Sequence, residues 1–161
     1  MANSDNPLLN KQVVKAFTDG VVETLTTMAK VSPVQGEAFI EKRHKLRGKV
    51  AGLIGMVSGD VKGQLAVCFD EDAAIGIVKN LINEEHKEID DAVMDAIGEL
   101  TNIIYGCAKK VLNENGFAFK MAIPMVIADH EAVISFHTGI TLVVPYKLEG
   151  KNFYIEITIQ K

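Results

Sequence analysis

The chain has 161 residues, enough for one domain with a real core. Apolar residues make up 48% and charged residues 24%, an ordinary balance for a globular fold, and a net charge of −4 gives nucleic acid or an anionic membrane no electrostatic reason to bind. No apolar run reaches the roughly 18 residues of a membrane span, and the opening ten residues lack the basic and apolar regions of a secretion signal.

Residues 1–7 are polar and expected to be flexible, and Asn6-Pro7 is a candidate start for the first helix. Val13, Val14, Phe17, Val21, Leu25 and Met28 recur at helical spacing up to a stop before Ser32-Pro33. Runs at 34–43, 49–57 and 61–69 predict strands, the last two joined at Ser58-Gly59-Asp60 as a hairpin. Gly52, Gly55 and Gly63 inside that hairpin predict a close approach or a bulge. Asp70 is expected to cap a helix reaching about residue 81, with Glu71 and Asp72 favoured in its first turn. After a break at Asn83–His86, a long helix is predicted from about 88 to 113, closed by Asn115-Gly116. Strands are predicted at 117–127, 131–138, 140–148 and 152–160, with turns at Asp129-His130 and Glu149–Lys151 and a bend at Gly139. Helices and strands do not alternate regularly. The expected fold class is therefore α/β of the α+β type, a mostly antiparallel sheet with long helices packed on one face, as a single domain over 1–161.

Two cysteines, Cys68 in a strand run and Cys107 in a helix interior, are read as buried and reduced, which fits a cytoplasmic protein. No CxxC and no His or Cys pair at ligand spacing appears, so no metal site or cofactor of the chain's own is expected. The basic run 41–47 reads as a solvated strand end or loop. His44, His86, His130 and His137 read as surface or packing residues, Phe117, Phe119 and Phe136 as core or sheet packing, and Met28, Met56, Met94, Met121 and Met125 as apolar filler.

The long helix holds the one chemical clue. At 3.6 residues per turn, Asp95, Glu99 and Asn102 fall within about 60° of one another. Val93, Ile97, Leu100, Ile104, Cys107 and Val111 form the opposite, core stripe. Asn is a modest helix former because its side chain competes for the backbone, and Gly98, Thr101 and Gly106 also cost propensity. Small residues at 98 and 106 would let another surface come close. An amide cannot act as a general base, but it can accept from and donate to a water and so orient it. A nearby carboxylate can pair with a cation and fix the geometry. No phosphate-binding loop or nucleophile elbow accompanies the pair, so a hydrolytic role would need the rest of the site from a partner.

Glu99-Leu100-Thr101-Asn102, followed by Ile103-Ile104-Tyr105-Gly106, resembles the ExxN helix of the CheC/CheX/FliY family of chemotaxis phosphatases. Asp95 matches the acidic or Ser position before the Glu, and Pro124 matches a proline that follows some way after the Asn, here with 21 residues between. The first helix has Glu23 but Thr26 three residues on, so one active helix per chain is expected, the pattern of the CheX branch. The resemblance implies a CheX-like fold and a phosphatase acting on the phospho-aspartate of a CheY-type response regulator. It implies that Asn102 orients water and that Glu99 contacts the receiver's lysine, with Asp95, Gly98, Gly106 and Pro124 as candidate supporting residues. It further implies that Mg²⁺ comes with the receiver and that the protein is a homodimer joined through its sheets. The alternatives are a non-catalytic docking or regulatory module of the same fold in a two-component or flagellar switch system, and an unrelated α/β binding domain.

Overall fold

The computed structural model describes residues 10–42, 46–121, 124–128 and 140–160. Asn10 opens helix α1 (Lys11–Thr24), its side chain accepting from the Gln12 N–H at 2.8 Å. Asn6-Pro7, the candidate start, lies outside the described residues. The helix continues as a π-helical turn over Leu25–Ala29 and stops at Lys30 in the left-handed conformation, two residues before Ser32-Pro33. Two short strands follow, β1 (Val34–Gln35) and β2 (Phe39–Glu41), where one run over 34–43 was expected. The long hairpin is β3 (Val50–Ser58) and β4 (Val61–Phe69), paired without a bulge from Val50↔Phe69 to Ser58↔Val61.

Helix α2 (Glu71–Ile82) has Asp70 at its N-cap position, but the Asp70 side chain makes no capping bond. Helix α3 (Asp91–Glu114) starts three residues later than expected, because Asp90 supplies a true cap by accepting from the Val93 N–H at 2.9 Å. The run at 117–127 is interrupted, giving β5 (Lys120–Met121) and β6 (Met125–Ala128). A second hairpin, β7 (Ile140–Leu148) and β8 (Lys151–Gln160), turns at Glu149-Gly150, both at positive φ as a two-residue hairpin loop requires. The expected strand at 131–138, the turn at Asp129-His130 and the bend at Gly139 lie outside the described residues.

The sheet order is β1-β7-β8-β4-β3-β5, with β2 also on β7 and β6 also on β3, and every one of these pairings is antiparallel. One face carries Ile54, Leu65, Val67, Val144, Ile155 and Ile157, which bury against Phe17 and Val21 of α1, Ile77 of α2 and Ile97, Leu100 and Ile104 of α3. Apolar burial of this kind is the main driving force of the fold.

The other face is also dry. Ala51, Leu53, Ala66 and Cys68 cluster there with Leu46, and Glu156, on the same face of β8, is 1% exposed. Arg47 reaches this carboxylate with its Nη1 at 2.5 Å from Oε1, and its backbone N–H donates to Oε2 at 3.3 Å. The Cys68 thiol donates to the same oxygen at 3.1 Å. The Arg47 guanidinium also lies over the Phe39 and Tyr154 rings and meets Glu41 Oε1 at 2.6 Å, an ion contact outside hydrogen-bond alignment. Arg47 is therefore not part of a solvated run, a correction to the reading of 41–47; residues 43–45 lie outside the described residues. Burial, and then the neighbouring Glu156, hold the Cys68 thiol protonated well above its ordinary range.

Two readings of filler residues also change. Met56 is buried, but Met28 and Met125 are exposed. Cys68 is buried as expected, whereas Cys107 is half-buried where α1 crosses α3, with the Thr24 hydroxyl 3.8 Å from its sulfur.

Candidate functional site

Helix α3 lies on the sheet between α1 and β6, and three close approaches seat it. Gly20 of α1 brings its Cα to the α3 backbone, where an added Cβ would sit 3.2 Å from the Ile104 carbonyl oxygen. At Gly98 an added Cβ would meet Val126 of β6 at 3.1 Å. At Gly52 of β3 it would run into Thr101, 2.8 Å from the Thr101 Cβ and closer still to its hydroxyl. Gly52 thus marks a close approach and no bulge.

These contacts set the buried arc of α3. Val93, Ile97, Leu100 and Ile104 are buried as the core stripe requires, joined by Thr101, Tyr105, Ala108 and Leu112. Cys107 is half-buried and Val111 is 39% exposed, so the C-terminal part of the stripe is corrected to Ala108 and Leu112. The shift follows from packing on both the sheet and α1, which turns the Thr101–Tyr105 side inward. The Tyr105 hydroxyl donates to the Lys120 carbonyl at 3.0 Å, and burial pushes its pKa up to about 12.

On the outer arc, Asp95 and Glu99 are exposed and Asn102 is half-buried. Glu99 and Asn102 stand one turn apart, a spacing of about 5–6 Å between Cβ atoms on a helix surface. Among the described residues, no side chain hydrogen-bonds or pairs with either. Asn102 neighbours the buried peg Thr101, whose hydroxyl donates to the Ile97 carbonyl at 2.8 Å. The two site glycines differ. Gly98 is filled by this chain's own Val126, while Gly106 has open space where a side chain would be. Pro124 is half-buried just ahead of β6, the strand that touches α3 at Gly98. Glu23 and Thr26 of the first helical segment are exposed, Thr26 within the π-helical turn.

The N-terminus of α3 is held by a second polar group. His86 Nδ1 is 2.6 Å from Asp90 Oδ2, and its Nε2 is 3.3 Å from Glu84 Oε2. The Asp90 bond raises the His86 pKa, and the Val93 N–H followed by His86 lowers that of Asp90. His86 is thus more than a surface or packing residue; His44, His130 and His137 lie outside the described residues. Sequence reasoning also missed Thr101 as a core residue. Its signal was Gly52, a residue that weakens a strand unless something must fit against it.

Chemically, the outer arc offers a carboxylate that only accepts and an amide that both donates and accepts, on a rigid mount. Among the described residues no group of three or more His, Cys, Asp or Glu could hold a metal ion, and no helix is long and apolar enough to cross a membrane.

Residues 50–147 match the family model described as chemotaxis phosphatase CheX. The chain belongs to that family. A curated CheX relative, the CheY-P phosphatase of Thermotoga maritima, is 23% identical over 94% of this chain and 98% of its own length. A CheC-like superfamily protein from Shewanella sp. PV-4 has 33% identity and a TM-score of 0.87 over 94% of this chain and 99% of that one. The CheX of a CheX–CheY–BeF3–Mg²⁺ complex from Borrelia burgdorferi has 26% identity and a TM-score of 0.78 over 92% of this chain and 97% of that one. The CheX-like fold class, with an antiparallel sheet and packed helices, holds throughout.

Proposed function

We propose that this protein dephosphorylates the phospho-aspartate of a CheY-type response regulator, using the outer face of α3. The observation that carries the reading is the pair Glu99 and Asn102, one turn apart on that face and, among the described residues, without a side-chain partner. Family membership and the Borrelia burgdorferi CheX–CheY complex support it.

An acyl phosphate held in a receiver is already reactive. The helper has to bring one water into line and keep it there. Asn102 does this by accepting a hydrogen bond from the water and donating one beside it, without changing protonation. Glu99 pairs with the receiver's lysine and so sets the depth at which Asn102 enters. Asp95, one turn earlier, lies at the rim of the contact, and Gly106 leaves room for the receiver backbone. Pro124 supports β6 beside the helix. Mg²⁺ enters with the receiver, where it neutralises charge on the phosphoryl oxygens. Positioning is worth much here, since a misplacement of about 1 Å can cost about 100-fold. The protein works in the cytoplasm as a homodimer joined through sheet edges, where β1, β2 and β6 expose Val34, Ile40 and Met125.

The test is phosphate release from a receiver charged with a small-molecule phosphodonor and Mg²⁺. Release that rises in proportion to added protein supports the phosphatase. Binding of the charged receiver with no faster release would replace it with the docking module.

A further inference from the structure

We propose that Thr101 is a positioning residue, a peg set in the notch left by Gly52 that fixes the rotation of α3 and with it the reach of Asn102. The inference rests on the reading of Asn102 as the residue that orients water.

Each partner of the contact is a poor local choice. Thr is a weak helix former, and Gly weakens a strand interior. Together they are complementary. Thr101 is fully buried and occupies the volume that a Gly52 side chain would take, 2.8 Å from the added Cβ through its own Cβ and 3.2 Å through Cγ2. The Thr101 hydroxyl is satisfied inside the helix by the Ile97 carbonyl, so the sheet is asked for no hydrogen bond. What the sheet receives is shape, from a side chain that is stiff at χ1.

The glycine contacts at Gly20 and Gly98 set how near α1 and β6 come to α3. At Gly98 the helix itself offers Val126 of β6 only bare backbone, with no α3 side chain keyed into the sheet. Thr101 supplies such a side chain, and it directly precedes Asn102. An amide about 6 Å from the helix axis moves about 1 Å for a roll of about 10°, and an error of that size can cost about 100-fold in a positioned reaction. Docking of a whole receiver surface tolerates such a roll better than the alignment of one water.

The test compares wild type, Thr101→Ala and Thr101→Val for kcat and KM on the phosphorylated receiver and for affinity toward the beryllofluoride-loaded receiver. It also follows the ¹H–¹⁵N signals of the Asn102 side-chain amide. Thr101→Ala should lower kcat about tenfold or more with KM and affinity within about threefold, and should shift or broaden the Asn102 signals while those of β7 and β8 stay in place. Thr101→Val keeps the peg and should restore kcat to within about threefold and the wild-type Asn102 signals. Wild-type kcat and unmoved Asn102 signals in Thr101→Ala would overturn the inference, as would a Thr101→Val as impaired as Thr101→Ala. If wild type does not accelerate hydrolysis, the functional reading falls, and the Asn102 signals alone decide whether Thr101 positions it. Should Thr101→Ala fail to fold, Thr101→Ser, which keeps the hydroxyl nearest Gly52 but loses the methyl group and with it the stiffness at χ1, should broaden the Asn102 signals, and unchanged signals would overturn the inference.

Discussion

Asn102 occupies a helix interior, where its amide competes with the backbone and where alanine is favoured by about 0.5–0.7 kcal/mol. Nothing among the described residues compensates, because no side chain bonds to it. Asn102→Ala is therefore expected to melt at the same temperature as wild type or slightly above it, by calorimetry or circular dichroism. A marked drop in melting temperature would mean that the amide holds the fold together. Arg47 presents the opposite case. It neutralises Glu156, which is 1% exposed and also accepts from the Cys68 thiol. Arg47→Met leaves that carboxylate buried and uncompensated, a loss of about 3–5 kcal/mol. Arg47→Met combined with Glu156→Leu removes both charges and should recover most of the loss. Denaturant midpoints of the three proteins check this, and a single variant as stable as wild type would contradict it.

At the scale of the element, α3 is seated on the sheet through Gly52, Gly20 and Gly98 and carries exposed Asp95 and Glu99 on its outer arc. Gly106 has no atom within 4 Å of an added Cβ, so Gly106→Ala meets no steric penalty and should gain about 0.8–1 kcal/mol of helix stability. The same methyl group intrudes on the proposed docking face, so receiver affinity should fall while thermal stability rises. Unchanged affinity would move the receiver contact away from Gly106. The N-terminus of α3 adds a pH dependence. The His86 pKa is raised by its bond to Asp90, so its contribution to stability is complete below about pH 6.5 and fades as pH rises through the raised value. The Asp90 pKa is lowered, so its contribution holds above about pH 4 and is lost as pH falls through the lowered value. The difference in melting temperature between wild type and His86→Gln should therefore be largest between about pH 4 and 6.5 and shrink at pH 8.5. A gap that widens toward alkaline pH would contradict the assignment.

Across the whole molecule, the parts legible in the sequence are those in which one strong local signal faces no competitor. The α3 pattern repeats over six turns, the α2 start is acidic, and Gly59 and Glu149-Gly150 mark two tight hairpins. The outer arc of α3 follows from periodicity alone, so Asp95, Glu99 and Asn102 share a face in the structure as in the sequence. Less legible is whatever depends on a second partner. Alternation in β8 marks Tyr154, Glu156 and Thr158 as one face, yet only the fold reveals that Arg47, 109 residues away, makes Glu156 a buried group. Thr101 reads as a mild defect in a helix until Gly52 is brought opposite it. The runs at 34–43 and 117–127 form short strands that, among the described residues, each pair on one side only, with β7 or β3.

The proposed division of labour gives the hydrolytic step to one amide on α3 and the docking to the surrounding surface. It is tested most directly by measuring single-turnover loss of phosphate from a CheY-type receiver, with Mg²⁺, under saturating wild type and saturating Asn102→Ala. Both proteins should bind the receiver with affinities within about threefold, and Asn102→Ala should hydrolyse it about 100-fold more slowly. An Asn102→Ala protein that binds and hydrolyses as fast as wild type would take the hydrolytic step away from this amide.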